Sequence, residues 1–293
     1  MIALILGALI ALGPVAWLWL IAPARGDNHT RMGHLLTFRY AHRGLHNTGA
    51  PGPVPAPAGV PENSLAAFTA ARDAGLGMEL DVTLSADGEV VVFHDDTLMR
   101  ACGIDEPVHA HPAAFLTQCP LFGTDHRIPR FDTVLREING AVPLIVELKD
   151  CPNRLLLCQR VAELLDHYTG AYCIESFHPA IVLWFRRNRP EVIRGQLSAG
   201  PAAFPEQSPG ERFLLSRLLV NVAGRPHFIA YHHEDAFSSP EGPTPQLLLR
   251  VTRWLGAVLI GWTVSEPAAL PRGEAFFDAL IVEHLPGLGG ANV

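Results

Sequence analysis

Short runs rich in β-branched and apolar residues alternate along most of the chain with stretches whose apolar positions recur at helical spacing. That alternation is the pattern of a parallel sheet wrapped by helices. The runs at residues 38–44, 77–82, 144–149, 172–177, 192–197, 228–231, 258–264 and 279–283 number eight, the count at which β/α units close into a TIM barrel. Between them, residues 64–74 carry Leu65, Phe68 and Ala71 on one helical face, open behind Asn63 as the expected cap and stop at Gly75. Residues 131–138 and 154–167 read as helices in the same way.

A ninth run, residues 90–95, follows the second strand too closely for a crossover, because a parallel partner needs a dozen or more connecting residues. It must return as a hairpin through Ala86-Asp87-Gly88-Glu89, which brings His94 to the same end of the sheet as Glu79. Two segments break the rhythm. Residues 48–60, dense in Pro, Gly and Ala, form a loop after the first strand that is expected to overhang the barrel mouth. Residues 101–127, with poor periodicity, read as a small insertion after the strand hairpin rather than a second domain.

Residues 2–22 carry no charge, enough as a helix to cross a hydrocarbon core of about 30 Å. Trp17 and Trp19 lie toward its end and Arg25, Arg31 and Arg39 follow. This predicts a single-pass membrane anchor over residues 1–24, with a catalytic domain over residues 36–293 on the cytoplasmic side. The rival is export by a signal segment, for which Ala22-Pro23-Ala24 would be the cleavage site, but a basic leader is missing.

Hydrophobic residues make up 48% of the chain and charged residues 17%, which supplies a large core and excludes disorder and coiled coils. A net charge of -7 without a basic block excludes nucleic acid as a partner and leaves small-molecule or lipid substrates. The five cysteines, at 102, 119, 151, 158 and 173, have no CxxC spacing. They read as reduced, buried thiols, with Cys102 and Cys119 as the one pair considered for bridging.

Candidate chemistry gathers at the strand ends. Glu79 and Asp81 lie two apart on one strand and so share a face; Glu147 and Lys149 repeat the spacing on another. Three carboxylates converging in a barrel mouth need positive charge to stay ionised, and one divalent cation with oxygen ligands, Mg²⁺ or Ca²⁺, answers that need. Ordinary ion pairing, as between Glu147 and Lys149, is the plainer alternative. His42 and His94 each close an apolar strand, which suits a proton acceptor and a proton donor. Arg43 and Lys149 are placed to bind phosphate oxygens. His232-His233-Glu234-Asp235 reads as a solvated loop.

Ala41-His42-Arg43-Gly44, Pro61-Glu62-Asn63-Ser64, Glu79-Leu80-Asp81-Val82, Val92-Phe93-His94-Asp95 and Glu147-Leu148-Lys149 occur in that order and resemble the motifs of the glycerophosphodiester phosphodiesterase family. Weaker likenesses follow at Ser176-Phe177 and Trp262-Thr263-Val264. The resemblance implies a (β/α)8 TIM barrel that hydrolyses glycerophosphodiesters to glycerol 3-phosphate and an alcohol. By it Glu79, Asp81 and Glu147 are metal ligands, His42 and His94 the general acid and base, and Arg43 and Lys149 phosphate binders. Phe177 and Trp262 would be substrate wall. The chain departs from the family pattern at Ser64, Ser265 and Glu283, none of them a proposed catalytic group. The anchor raises a second reading, a lysophospholipase D acting on a lysolipid phosphodiester. A catalytically silent barrel that binds a phosphodiester or a partner is a third, against which the complete set of histidines and carboxylates speaks.

Overall fold

The computed structural model describes residues 13–49, 59–238 and 244–286. Eight parallel strands run β1 (Tyr40–Ala41), β2 (Gly77–Leu84), β4 (Leu144–Leu148), β5 (Tyr172–Ser176), β6 (Arg194–Ser198), β7 (Phe228–His232), β8 (Val258–Val264) and β9 (Ala279–Val282). Each pairs with the next in parallel, and β1 pairs with both β2 and β9 to close the barrel. The expected hairpin forms: β3 (Val90–Val92) returns antiparallel on the far half of β2, with Val82 opposite Val92.

The period of two along each strand divides the side chains into two layers. Outward, Met78, Leu80 and Val82 of β2 and Leu144, Val146 and Leu148 of β4 meet Phe68, Phe131 and Val161 of the surrounding helices. Inward, Tyr40, Ile145, Phe228, Ile260 and Ile281 fill the lower barrel. Gly195 permits this filling, since a Cβ there would lie 2.2 Å from the Phe228 ring. The upper interior is instead carboxylate-rich, so the acids stand on an apolar, water-excluding plug.

The helix after residue 63 runs Leu65–Asp73, and its cap is Ser64 rather than the expected Asn63. Ser64 Oγ accepts from Ala67 N–H at 3.1 Å, whereas Asn63 is held in the left-handed region at φ 54° and its side chain is engaged elsewhere. Residues 101–127 fold onto β3 around a small core of Val91, Phe93, Leu98, Leu116 and Leu121. Cys102 and Cys119 are unbridged. Asp235 ties the β7 loop to the β6 loop by accepting from Gly200 N–H at 2.9 Å. Of the loop expected over residues 48–60, residues 50–58 lie outside the described residues; its neck is closed by Asn47 N–H donating to Val60 O at 3.0 Å.

The membrane span expected over residues 2–22 is not carried by the described residues. Residues 1–12 lie outside them, residues 13–21 are helical, and among the described residues no helix is long and apolar enough to cross a membrane. The end of the expected span is committed to the barrel. Ile21 is fully buried, Asn221 donates to Ile21 O at 3.0 Å, and Arg225 donates to Trp19 O and Ala22 O at 2.7 and 2.9 Å. The stretch that follows forms the barrel floor: Met32 and Leu35 join the interior layer, and Tyr40 O–H donates to Leu35 O at 2.7 Å.

Candidate active site

Strand register assembles the acids. Asp81 on β2 lies beside Glu147 on β4, and Glu147 beside Glu175 on β5, so three carboxylates form a row across the barrel with Glu79 one step below. Glu79, Asp81 and Glu147 each offer an oxygen, and these oxygens lie within 4.8 Å of one another. All four residues are buried. Burial, with Asp81 and Glu147 beside it, pushes the Glu79 carboxyl well above its ordinary range; burial and the neighbouring acids do the same to Glu175. Burial also raises Glu147, partly offset by Lys149. Asp81 behaves oppositely: burial works against its charge, but Lys149, His94 and Arg43 hold it well below the usual carboxylate range.

Local structure fixes each donor. Arg43 sits at φ 54°, which turns its N–H onto Glu79 Oε2 at 2.9 Å. Its guanidinium spans Glu62 at 2.7 Å and Asp81 at 3.4 Å. Lys149 Nζ lies 2.9 Å from Glu147 and 3.4 Å from Asp81. Asn63, freed from capping, donates from Nδ2 to Asp81 Oδ2 at 2.8 Å and accepts from Asp81 N–H at 3.3 Å.

The two histidines are held alike. His42 Nδ1 contacts Glu283 Oε1 at 2.8 Å and His94 Nδ1 contacts Asp95 Oδ1 at 2.5 Å. A carboxylate on Nδ1 sets the ring's orientation and tautomer and leaves Nε2 for proton exchange. Burial lowers the basicity of His42, outweighing the Glu283 hydrogen bond that raises it. Glu283 also contacts His46 Nε2 at 3.2 Å, and both histidines hold its carboxyl low against the opposing effect of burial.

His42, Arg43, Glu79, His94, Glu147 and Glu175 line one recess together with Phe177 and Trp262, so every residue expected at the site reaches it or, for Asp81 and Lys149, contacts a residue that does. Phe177 and Trp262 meet edge to face at 5.5 Å. Trp262 Nε1 and Glu175 Oε2 are buried without a protein partner, as polar atoms reserved for a ligand would be. Sequence reasoning assigned no role at the site to Glu175, Glu283, Asp95 or Glu62. Glu62 in fact joins Arg43 to Arg100, which bonds it at 2.6 and 3.0 Å and also holds Asp95. The available signals were an acid inside an apolar strand, Glu175, and an acid ending the strand that must close against the first, Glu283.

Residues 42–284 match the glycerophosphoryl diester phosphodiesterase family. The Bacillus subtilis protein YhdW, which carries a glycerophosphodiester phosphodiesterase designation, is 30% identical over 141 residues, covering 45% of this chain and 58% of that protein. A lysophospholipase D of Rattus norvegicus is 33% identical over 120 residues, covering 36% of this chain and 37% of that protein. The match therefore spans little more than half of the one relative and about a third of the other. Among solved structures, an Oleispira antarctica phosphodiesterase in complex with the product sn-glycerol-3-phosphate superposes with a TM-score of 0.65 at 22% identity, covering 85% of this chain and 94% of that one. That likeness is one of fold.

Proposed function

Because the chain belongs to the glycerophosphoryl diester phosphodiesterase family, we propose that it is a metal-dependent phosphoric diester hydrolase releasing glycerol 3-phosphate and an alcohol from a glycerophosphodiester. The observation that carries this reading is a buried carboxylate cluster beside two histidines, each held on Nδ1 by its own carboxylate. The catalytic unit is residues 36–293, with residues 101–127 as its insertion, and it rests on the floor residues Met32 and Leu35 that precede it.

The acids fit a hard cation. With Glu79 pushed up by burial, Asp81 and Glu147, and Glu147 pushed up by burial and Asp81 against the offset of Lys149, the cluster ionises fully only against added positive charge. One divalent cation, Mg²⁺ or Ca²⁺, held by Glu79, Asp81 and Glu147, would polarise a phosphoryl oxygen. Asn63 and Lys149 keep Asp81 and Glu147 oriented, and Arg43 and Lys149 offer N–H groups to the phosphate oxygens. One histidine takes the proton of the nucleophile, water or the adjacent glycerol hydroxyl, and the other gives a proton to the leaving alcohol; attack by the glycerol hydroxyl leaves a cyclic phosphodiester, which water then opens to glycerol 3-phosphate with the two histidines in exchanged roles. Phe177 and Trp262 wall the recess.

A groove of about 710 Å³ favours the second reading, a lysophospholipase D. It begins at Glu147 and Lys149 and passes Phe177, Phe204, Leu214, Leu215 and Val220 among polar residues that include Asp150, Arg154, Glu206 and Glu211, giving an acyl chain a partly apolar path away from the cleaved bond. The deciding assay offers the full chain glycerophosphocholine and a lysophosphatidylcholine with Mg²⁺, Ca²⁺ or chelator. Metal-dependent release of glycerol 3-phosphate from the first, lost in His42→Ala, is expected. Preferential turnover of the lysolipid would move the assignment to the second reading, and turnover of neither by folded, metal-loaded protein would overturn both.

A further inference from the structure

At the opposite end of the barrel a cavity of about 590 Å³ lies between residues 19–25 and the helix Pro179–Asn188. Its charged lining is entirely basic: Arg25, Arg31, Arg186, Arg194, Arg225 and His227. The chain as a whole has 29 acidic residues against 22 Lys and Arg, and arginines elsewhere, such as Arg39, Arg43, Arg100 and Arg154, hold carboxylates. Among the described residues, none of these five arginines does.

The cluster has a fixed part and a free part. Arg194, the first residue of β6, is 5% exposed and donates to Gly224 O at 2.9 Å, Arg225 O at 3.0 Å and Pro190 O at 3.4 Å. Arg225 is held by the carbonyls of Trp19 and Ala22, with its guanidinium 4.9 Å from the centre of the Trp19 ring. Arg186 donates to Val222 O and Ala223 O. The side chains of Arg25 and Arg31, both exposed, make no hydrogen bond or ion pair with the described residues. The like charges press on one another. Burial, then Arg186 and Arg31, lowers Arg194 to about 10; burial, then Arg194 and Arg31, lowers His227 to about 3. A buried guanidinium bonded to backbone carbonyls but with only cations for charged neighbours is costly unless an anion completes the set.

We infer that this cavity binds a phosphate-bearing anion, seated on Arg194 and Arg225 and closed over by Arg25, Arg31 and Arg186. Converging planar forks suit tetrahedral oxyanions, which accept several N–H bonds at once. The volume exceeds a single phosphate and fits a diphosphate or a phospholipid headgroup. Half-exposed Trp19 at the rim, following an apolar stretch, suits a headgroup at a lipid surface.

The test compares the full chain with the Arg25→Ser/Arg31→Ser double variant, which removes no hydrogen bond of the described structure. Calorimetric titration with inorganic pyrophosphate reads the free anion; flotation with phosphatidylglycerol against phosphatidylcholine vesicles reads the headgroup. The double variant is expected to bind at least about tenfold more weakly in one arm or both while its circular dichroism and phosphodiester hydrolysis stay unchanged, which separates this site from Arg43 and Lys149. Loss confined to pyrophosphate assigns a soluble anion, and loss of the phosphatidylglycerol preference assigns the headgroup. Binding within twofold of wild type in both arms, or no binding by wild type in either, overturns the inference.

Discussion

The two ends of the barrel handle charge in opposite ways. At the C-terminal mouth acids and bases interleave: Asp81 faces Arg43 and Lys149, and Glu62 faces Arg43 and Arg100. In the cavity at the N-terminal end, five arginines and His227 meet with no acid among the described residues of the lining. The mouth holds an excess of acid that an added cation would balance, whereas the floor cavity holds an excess of base that an added anion would balance. Interleaving fixes geometry, as catalysis requires; one-sided charge attracts, as binding requires.

Breaking the mouth should have the largest consequence. Glu79→Ala, or chelation of the wild type, is expected to lower the rate of glycerol 3-phosphate release by at least about 10³-fold, because metal and phosphate positioning fail together. His42→Ala and His94→Ala should each lower kcat by about 10²- to 10⁴-fold with little change in metal affinity measured by titration. Smaller again is Asn63→Ala, which leaves the carboxylates in place but frees Asp81; metal affinity should fall about 10- to 100-fold and be recovered partly in Asn63→Gln.

Stability sharpens the contrast in the other direction. The Glu175 carboxyl, pushed up by burial and its acidic neighbours, keeps its proton in the folded chain at pH values where the unfolded chain has lost it. Its contribution therefore declines as pH rises from the ordinary carboxylate range toward the folded titration. Glu175→Gln removes that decline. Metal-free protein carrying it should gain on the order of 1–3 kcal/mol in urea unfolding at pH 8 and little at pH 4. At the floor, Arg25→Ser/Arg31→Ser should change kcat/KM on a soluble glycerophosphodiester by less than about twofold, since exposed charges a barrel's depth away are screened.

The mouth was legible in the sequence because its parts are borne locally by strands. A spacing of two puts Glu79 with Asp81, and Glu147 with Lys149, on one face whatever the rest of the chain does. The hairpin turn at Asp87-Gly88 is equally local, and it delivered His94. Glu175 was missed because its nearness to Glu147 depends on which strands are neighbours, and Glu283 because its partner His42 lies at the other end of the sequence. Asn63 misled for a different reason: asparagine is both a good helix cap and tolerant of positive φ, and here the second property prevails. The floor cluster draws on residues 25, 31, 186, 194 and 225; Arg25 and Arg31 were legible only as charges flanking an apolar stretch, and their nearness to Arg186, Arg194 and Arg225 depends on how distant parts of the chain meet.

The pinched neck between Asn47 and Val60 has an evolutionary corollary. Thr48 Oγ accepts from Glu62 N–H at 3.0 Å just inside it, so both ends of that loop are anchored before the chain reaches Arg43 on one side and Glu62 on the other. Residues inserted or deleted between them transmit little strain to the phosphate-binding arginine, and doubling such a loop costs only about 0.6 kcal/mol in closure entropy. The rim of this barrel is thereby a module: lineages can rewrite what approaches the mouth while inheriting the chemistry beneath it intact.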